Sequence, residues 1–428
     1  MSEKIVLKNG RVIDPASGLD EKSDLLVDNG VIVKIEKSIK ENSARVIDAS
    51  GLFIAPGFID LHVHLREPGY EYKEDIESGA RAAAAGGFSA VCCMANTNPV
   101  NDNGSVTRYI LEKAESAGAA RVYPIGAVTK QMAGEELAEI GEMKQAGAVA
   151  LSDDGRVVSN ASLLKNAVEY GSMFGLTVVE HCEDDFLVEG GIINEGAVSA
   201  QYGIKGIPSV AEDVIVERDI NIAKYCGHPV HIAHISTKGA VEAVRKAKAD
   251  GTKITCEVTP HHFTLTDRKL ETFDPNFKMN PPLRGGEDLA AIKQALKDGT
   301  IDAIATDHAP HAAWEKELEL DIAPFGVVGL ETSLGLSLRL IDEGLLTLSE
   351  VIALLTCRPA AVFDLPGGKL QKNCVADICI FDPEKKWTVN PESFVSKGKN
   401  CCFTGMELKG QNMLTMVGGR IVYNPTNL

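Results

Sequence analysis

Asp60-Leu61-His62-Val63-His64 closes an apolar run that begins at Gly57. Side chains on a strand alternate between faces, so His62 and His64 project to the same side. Two imidazoles placed this way can share a metal ion. An H-x-H pair alone is a weak signal, and its meaning depends on what recurs elsewhere. Ser152-Asp153-Asp154-Gly155, Glu180-His181-Cys182, His231 with His234, and Thr306-Asp307-His308 each lie in or at the end of a further apolar run. Four His and two carboxylates suit a pair of divalent ions, with zinc first because imidazole predominates. Such groups are costly to bury without partners, so packing alone does not explain them. Two metals close together would hold a bridging water as hydroxide near neutral pH and polarise a carbonyl oxygen. A carboxylate must then accept the proton and pass it to the leaving nitrogen, and Asp307 is the natural candidate. Metal-assisted hydrolysis of an amide-type bond is the chemistry that follows.

These residues need a scaffold that brings distant strand ends together. Eight apolar runs, at 57–64, 88–96, 121–128, 148–154, 176–182, 229–236, 252–260 and 301–310, alternate with helix-like segments such as SLLKNAVEYGSMFG, KGAVEAVRKAKADG and EDLAAIKQALKDG. Apolar strands alternating with helices imply a parallel sheet covered on both faces. Eight such units predict an α/β fold, a (β/α)8 TIM barrel over residues 56–357, whose active site lies at the C-terminal strand ends. A doubly wound sheet would need a Gly-rich phosphate loop after its first strand, and none is present. His231 and His234 are three apart and cannot both point inward on a regular strand. His234, nearer the C-terminal end, is the expected ligand. His261 and His262 are adjacent and cannot both face the metals, so a supporting role is expected. Cys92, Cys93 and Cys182 read as buried hydrophobes. The stretch 308–329 has the length and mixed content of a functional loop. At the two ends, IVLKNGRVID and DLLVDNGVIVKIE carry Asn-Gly beside β-branched runs, and ADICIFDP and MLTMVGGRIVYN have the same texture. Residues 1–55 and 358–428 are therefore expected to form one small composite β-sandwich domain.

The chain has 428 residues and a formal net charge of −17. That field repels phosphate backbones and anionic lipid heads, so neither nucleic acid nor a membrane surface is an expected partner. A local Arg can still reverse the sign inside a pocket, so an anionic small molecule remains a fitting substrate. The start, MSEKIVLKNGRVID, lacks the apolar core and small-residue cleavage site of a secretion signal. No apolar run approaches the roughly 20 residues that span a bilayer. Ten cysteines without a C-x-x-C fit reduced thiols in a cytoplasmic protein.

The segments PGFIDLHVHLREPG (56–69), MANTNPV (94–100), LSDDG (151–155), VVEHCED (178–184), HIAHIST (231–237), KMNPPLR (278–284), ATDHAPH (305–311) and FGVVGLET (325–332) together resemble the amidohydrolase superfamily. Within it the chain is similar to class I dihydroorotases. The H-x-H and the strand-end Asp belong to the whole superfamily; LREPG, NTNP, NPPLR and DHAPH in combination are much more specific. The resemblance implies that His62, His64 and Asp307 bind one zinc, and His181 and His234 a second. Many relatives bridge the ions with a carboxylated lysine on the fourth strand. Here that strand offers Asp153-Asp154, and the resemblance implies Asp154 as the bridge with Asp153 in reserve. One or two zinc ions per subunit are expected, two being favoured. Arg66, Asn96 and His311 would bind the substrate α-carboxylate, as an Arg fork suits a carboxylate. Asn280 and the backbone of Phe325 and Gly326 would meet the ring or ureido amides, and His64 would also border the substrate. Ala95 stands where the family more often has Pro before Asn-Thr-Asn-Pro, which leaves Asn96 in place.

The implied reaction is the reversible cyclisation of N-carbamoyl-L-aspartate to (S)-dihydroorotate, a step of de novo pyrimidine (UMP) biosynthesis, by metal-bound hydroxide with Asp307 as proton shuttle. An allantoinase or hydantoinase is the rival within the same chemistry, and a non-catalytic scaffold barrel the rival outside it. A homodimer and a complex with aspartate transcarbamoylase stay open as assemblies.

Overall fold

The β-branched runs at the start of the chain form seven strands in the computed structural model, which describes residues 4–428. They are β1 (Ile5–Lys8), β2 (Arg11–Asp14), β3 (Leu19–Lys22), β4 (Asp24–Asp28), β5 (Val31–Glu36), β6 (Arg45–Asp48) and β7 (Phe53–Pro56). The two Asn-Gly pairs behave differently. Asn29-Gly30, at φ 54° and 77°, supplies the left-handed turn that closes the β4–β5 hairpin. Asn9, at φ 63°, makes no hairpin, because β1 and β2 enter different sheets. Its N–H instead donates to Asp24 Oδ1 at 3.0 Å.

The eight alternating runs become β8 (Phe58–Val63), β9 (Phe88–Cys93), β10 (Arg121–Gly126), β11 (Ala150–Leu151), β12 (Thr177–Glu180) and, after a small pair β13 (Ile193–Asn194) and β14 (Gly206–Ile207), β15 (Val230–Ile232), β16 (Ile254–Val258) and β17 (Ala303–Ile304). Each barrel strand pairs in parallel with the next. A parallel bridge between Val63 and His308 joins the first strand to the chain beyond the last, so the eight strands form a barrel. Ile59, Leu61, Cys92, Ile125 and Val179 form part of an inner cluster. The helices pack outside. The first, Ile76–Gly86, begins at a capping Asp75 whose side chain accepts from Ser78 N–H, and buries Ala82 to Ala85. Several regular strands are shorter than the apolar runs that predicted them. Beyond their last paired residues six of these runs bring His64, Asn96, Asp154, His181, His234 and Asp307 to one cavity.

The chain then passes through the helix Cys357–Val362, and Ala360, Phe363 and Leu365 join the inner barrel cluster. It ends in β18 (Ile378–Thr388), β19 (Glu407–Val417) and β20 (Arg420–Tyr423). β18 pairs antiparallel with β7, so both ends of the chain share a sheet of order β20-β19-β18-β7-β2-β3. Against it lies the sheet β5-β4-β1-β6, with Leu7, Leu25, Ile54, Ile378 and Leu414 buried in a common core. Two packed sheets from separated segments give the sandwich read from the terminal texture. No helix of the described residues is long and apolar enough to cross a membrane.

Candidate active site

Strand alternation sets His62 and His64 side by side at the end of β8, with ring centroids 5.3 Å apart. Behind His62 stands Glu257 of β16, its Oε1 2.8 Å from His62 Nδ1. An ionised carboxylate only accepts, so this bond places the proton on Nδ1 and leaves the Nε2 lone pair free. Burial would raise the Glu257 carboxyl, but hydrogen bonds from His231 and His62 outweigh it and bring it down to about 2.

Asp154 occupies the centre. Its Oδ1 lies 3.4 Å from His62 Nε2, 3.6 Å from His181 Nδ1 and 3.3 Å from His234 Nε2, and its Oδ2 lies 3.5 Å from His64 Nε2. Asp153 is spent elsewhere: its carboxylate accepts the backbone N–H groups of Val128 and Thr129, at 2.8 and 3.1 Å, and the Thr129 hydroxyl. Asp307 Oδ1 is 3.0 Å from His64 Nε2 and 3.6 Å from His62 Nε2. Burial pushes both Asp154 and Asp307 upward, yet the surrounding imidazoles prevail and hold both carboxyls well below their usual range. Carboxylates kept ionised in this way are the form a metal needs.

The expectation that His231 and His234 cannot both face inward needs correction. β15 ends at Ile232, and His234 adopts φ 30°, a left-handed conformation that a regular strand does not contain. The alternation breaks there. His231 stacks edge-on against Phe363, with Nε2 3.2 Å from Glu257 Oε2, while His234 Nε2 lies 3.0 Å from His181 Nδ1. Asp307 and Arg66 also sit in the left-handed region, at φ 48° and 63°. Three such residues at one mouth mark backbone strain held where the side chains must converge.

Two groups emerge, His62, His64 and Asp154, and Asp154, His181 and His234, each with one donor atom per residue within 4.8 Å of the others. His62 Nε2 and His234 Nδ1 are buried without a hydrogen-bond partner. The His62 nitrogen lies beside the ionised Asp154 carboxylate, an arrangement that fits a divalent metal better than a self-satisfied network.

The cluster opens into a cavity of about 160 Å3 whose lining includes His64, Arg66, Asn96, Asn280, Asp307, Phe325 and Gly326. Arg66 Nε donates to Pro310 O at 3.2 Å, which steadies the guanidinium. Asn96 Oδ1 lies 3.0 Å from His64 Nδ1, and its Nδ2 donates to Asp154 O. Asn280 Oδ1 is buried and unpartnered. His311 stands behind this wall: its Nε2 is 2.7 Å from Phe325 O, and burial, reinforced by nearby Arg66, Lys316 and Lys73, drives its pKa far down. The Phe325–Gly326 backbone is likewise engaged, with Gly326 N–H donating to Lys278 O at 3.0 Å. Cys92 and Cys182 are buried with thiols pushed well up, and Cys93 is raised to about 12, so none is a nucleophile. His262 is held between Thr259 Oγ1 and Pro281 O, at 2.8 and 3.0 Å. Sequence reasoning passed over Glu257, whose only outward sign is an acid inside an apolar strand, and Asn400, which approaches from the distant return segment.

Comparison with known proteins agrees with this geometry. The dihydro-orotase-like family model matches residues 51–240. The dihydroorotase of Geobacter metallireducens is 52% identical over 420 residues, covering 98% of this chain and 99% of that protein. The dihydroorotase of Syntrophotalea carbinolica is 53% identical over the same span of 420 residues, with 98% and 99% covered. The chain belongs to the dihydroorotase family. Among solved structures, the L-hydantoinase of Arthrobacter aurescens superposes with a TM-score of 0.88 at 25% identity, covering 99% of this chain and 96% of that one. A D-hydantoinase from Thermus sp. superposes at 0.83 with 23% identity, covering 98% and 95%, which shows the shared fold. As a member of the dihydroorotase family the chain is a cyclic amidohydrolase, and its buried His and Asp groups could hold metal.

Proposed function

We propose that this chain interconverts N-carbamoyl-L-aspartate and (S)-dihydroorotate in the cytoplasm, with two zinc ions held by His62, His64, Asp154, His181, His234 and Asp307. The observation that carries the reading is the convergence of His62, His64, His181 and His234 on Asp154, with Asp307 Oδ1 against His64 and His62, beside a cavity that also presents Arg66. Bound divalent ions would supply an activated water and a Lewis acid for the amide carbonyl. Everything else is done by the chain. Arg66 keeps its terminal N–H groups without a hydrogen bond to the described residues, so they are available to fork onto the α-carboxylate. Asn96 uses one amide hydrogen on Asp154 O and retains a second for the same carboxylate. Asn280 Oδ1, buried and unpaired, is ready to accept an N–H of the ring.

Asp307 Oδ1 faces His62 and His64, which leaves Oδ2 to take the proton of the attacking water. In hydrolysis the new C–O bond forms, Asp307 Oδ2 receives that proton, the ring C–N bond breaks, and the proton goes to the departing nitrogen. Cyclisation reverses each transfer.

Asp307→Asn should lower kcat by about 10³-fold with the far-UV spectrum unchanged. Arg66→Ala should instead raise KM for dihydroorotate with a smaller effect on kcat. A side-by-side assay of dihydroorotate, allantoin and a 5-substituted hydantoin tests the substrate. Preference for the hydantoin, which lacks the carboxylate Arg66 would bind, would overturn the proposal in favour of the hydantoinase reading. Absence of both bound zinc and turnover would favour the scaffold.

A further inference from the structure

Near the cavity Lys278 and Lys316 are buried without an ion-pairing partner among the described residues. Lys278 is 2% exposed and Lys316 7%. Lys278 Nζ donates to the carbonyls of Leu320 and Asp321, at 2.7 and 3.1 Å. Lys316 Nζ donates to the carbonyls of Pro275, Lys278 and Pro324, at 3.0, 3.2 and 2.7 Å. An ammonium taken from water without a counter-ion is expensive to keep, and carbonyl oxygens offset only part of that cost. Two such groups close together repel one another as well. A structural filler would be an apolar side chain, so the placement calls for another reason.

The reason lies in where the bonds go. Lys278 opens the KMNPPLR segment, which carries Asn280, and its ammonium reaches into the 308–329 loop. Lys316 belongs to that loop, and its ammonium reaches back to 275 and 278. Each segment is therefore gripped by a lysine from the other. The joint is tightened by Gly326 N–H on Lys278 O, and by Lys278 Nζ lying 4.6 Å from the centroid of the Phe325 ring. Asn280, Phe325 and Gly326, which form one wall of the cavity, sit at the ends of this reciprocal grip. Neither ammonium lines the cavity itself.

We propose that Lys278 and Lys316 are positioning residues: a two-way clamp that fixes the wall formed by Asn280, Phe325 and Gly326 against the substrate ring. The clamp rests on the reaction proposed above for its kinetic reading, though not for its structural one. Loss of either arm should free the wall. Neither lysine bonds a metal donor, although Asn280 Nδ2 of the wall lies 3.4 Å from His181 Nε2, so the damage belongs chiefly in substrate binding.

The test uses the zinc-loaded enzyme with Lys278→Met, Lys316→Met and the double variant. Each single variant should raise KM for dihydroorotate about tenfold, with kcat within about threefold of wild type. Zinc per chain should not change. The double variant should be no worse than the poorer single, because one broken arm already opens the clamp. Hydrogen–deuterium exchange on wild type should show peptides spanning 272–284 and 317–328 protected, and the single variants should lose that protection. KM within about twofold of wild type in both single variants, or a loss confined to kcat with zinc released, overturns the clamp. If the methionine variants do not fold, rapid exchange of both peptides in wild type still overturns it. If wild type turns over no dihydroorotate, the proposed reaction fails, and the exchange measurement alone decides the clamp.

Discussion

Glu257 holds His62 on one oxygen and His231 on the other, wholly inside the barrel. Its contribution is orientation: it fixes the His62 tautomer and raises the basicity of the nitrogen that faces Asp154. Glu257→Gln keeps the shape but can present an N–H where an acceptor is required. The expected result is a 10- to 100-fold weaker zinc affinity, roughly the loss seen when a partner of a metal-bound imidazole is removed. Competition with a chromophoric chelator measures it, and an unchanged affinity would remove Glu257 from the site. The contrast with His62 itself shows what a sequence discloses. H-x-H, SDD, EH and DH stand at the ends of apolar runs, and a residue's type together with its place on a strand is a local property. Glu257 becomes meaningful only through a partner 195 residues away. His234 was legible as a candidate donor, but the φ of 30° that turns it inward was not, since alternation describes a regular strand and this one has already ended.

At the level of elements, the mouth is braced by a segment that the terminal texture assigned wholly to the small β domain. Between β18 and β19 the chain crosses to the barrel. Val395 and Ser396 N–H groups donate to the Glu331 carboxyl, and Asn400 Nδ2 donates to Ala309 O and Gly326 O, both at 3.0 Å. Asn400 Oδ1 accepts His311 N–H at 3.0 Å. This strap fixes the loop whose Phe325 and Gly326 line the cavity. Periodicity could not show it, because residues 390–403 have neither a helical nor a strand repeat. The eight barrel strands and their helices, by contrast, were legible from alternation alone. The two Asn-Gly turns were indistinguishable locally, and only sheet membership separated them. Glu331 gives the strap a pH dependence. Burial raises its carboxyl from 4.5 to about 7, against the pull of the Val395 and Ser396 bonds. The native state then binds more protons than the unfolded chain between about pH 4.5 and pH 7, so this group's share of stability is full below that window and lost as pH rises through it. Glu331→Gln cannot ionise. Urea midpoints taken at several pH values across the window should fall less steeply in Glu331→Gln than in wild type, and parallel slopes would refute the assignment.

For the whole molecule, the donors run from residue 62 to residue 307 and meet only when the barrel closes. An unfolded chain scatters them, so a metal held by these groups would bind the native state and stabilise it by mass action. The barrel and sandwich have large apolar cores of their own, which predicts that the metal is not needed for the fold to form. Stripping with a strong chelator should therefore leave the far-UV spectrum intact while lowering Tm. Zinc added back should restore Tm and turnover together. With free ion about a thousand-fold above Kd the recovered stability is roughly 4 kcal/mol per site. Asp154 belongs to both donor groups, so its removal should weaken metal binding at either of them. Asp154→Asn should show a Tm that zinc no longer raises, whereas His181→Asn, which touches one group, should keep part of the response. A Tm and a turnover rate that ignore chelation in the wild-type protein would show that the converged imidazoles and carboxylates serve packing, and the amide chemistry assigned to them would have to be abandoned.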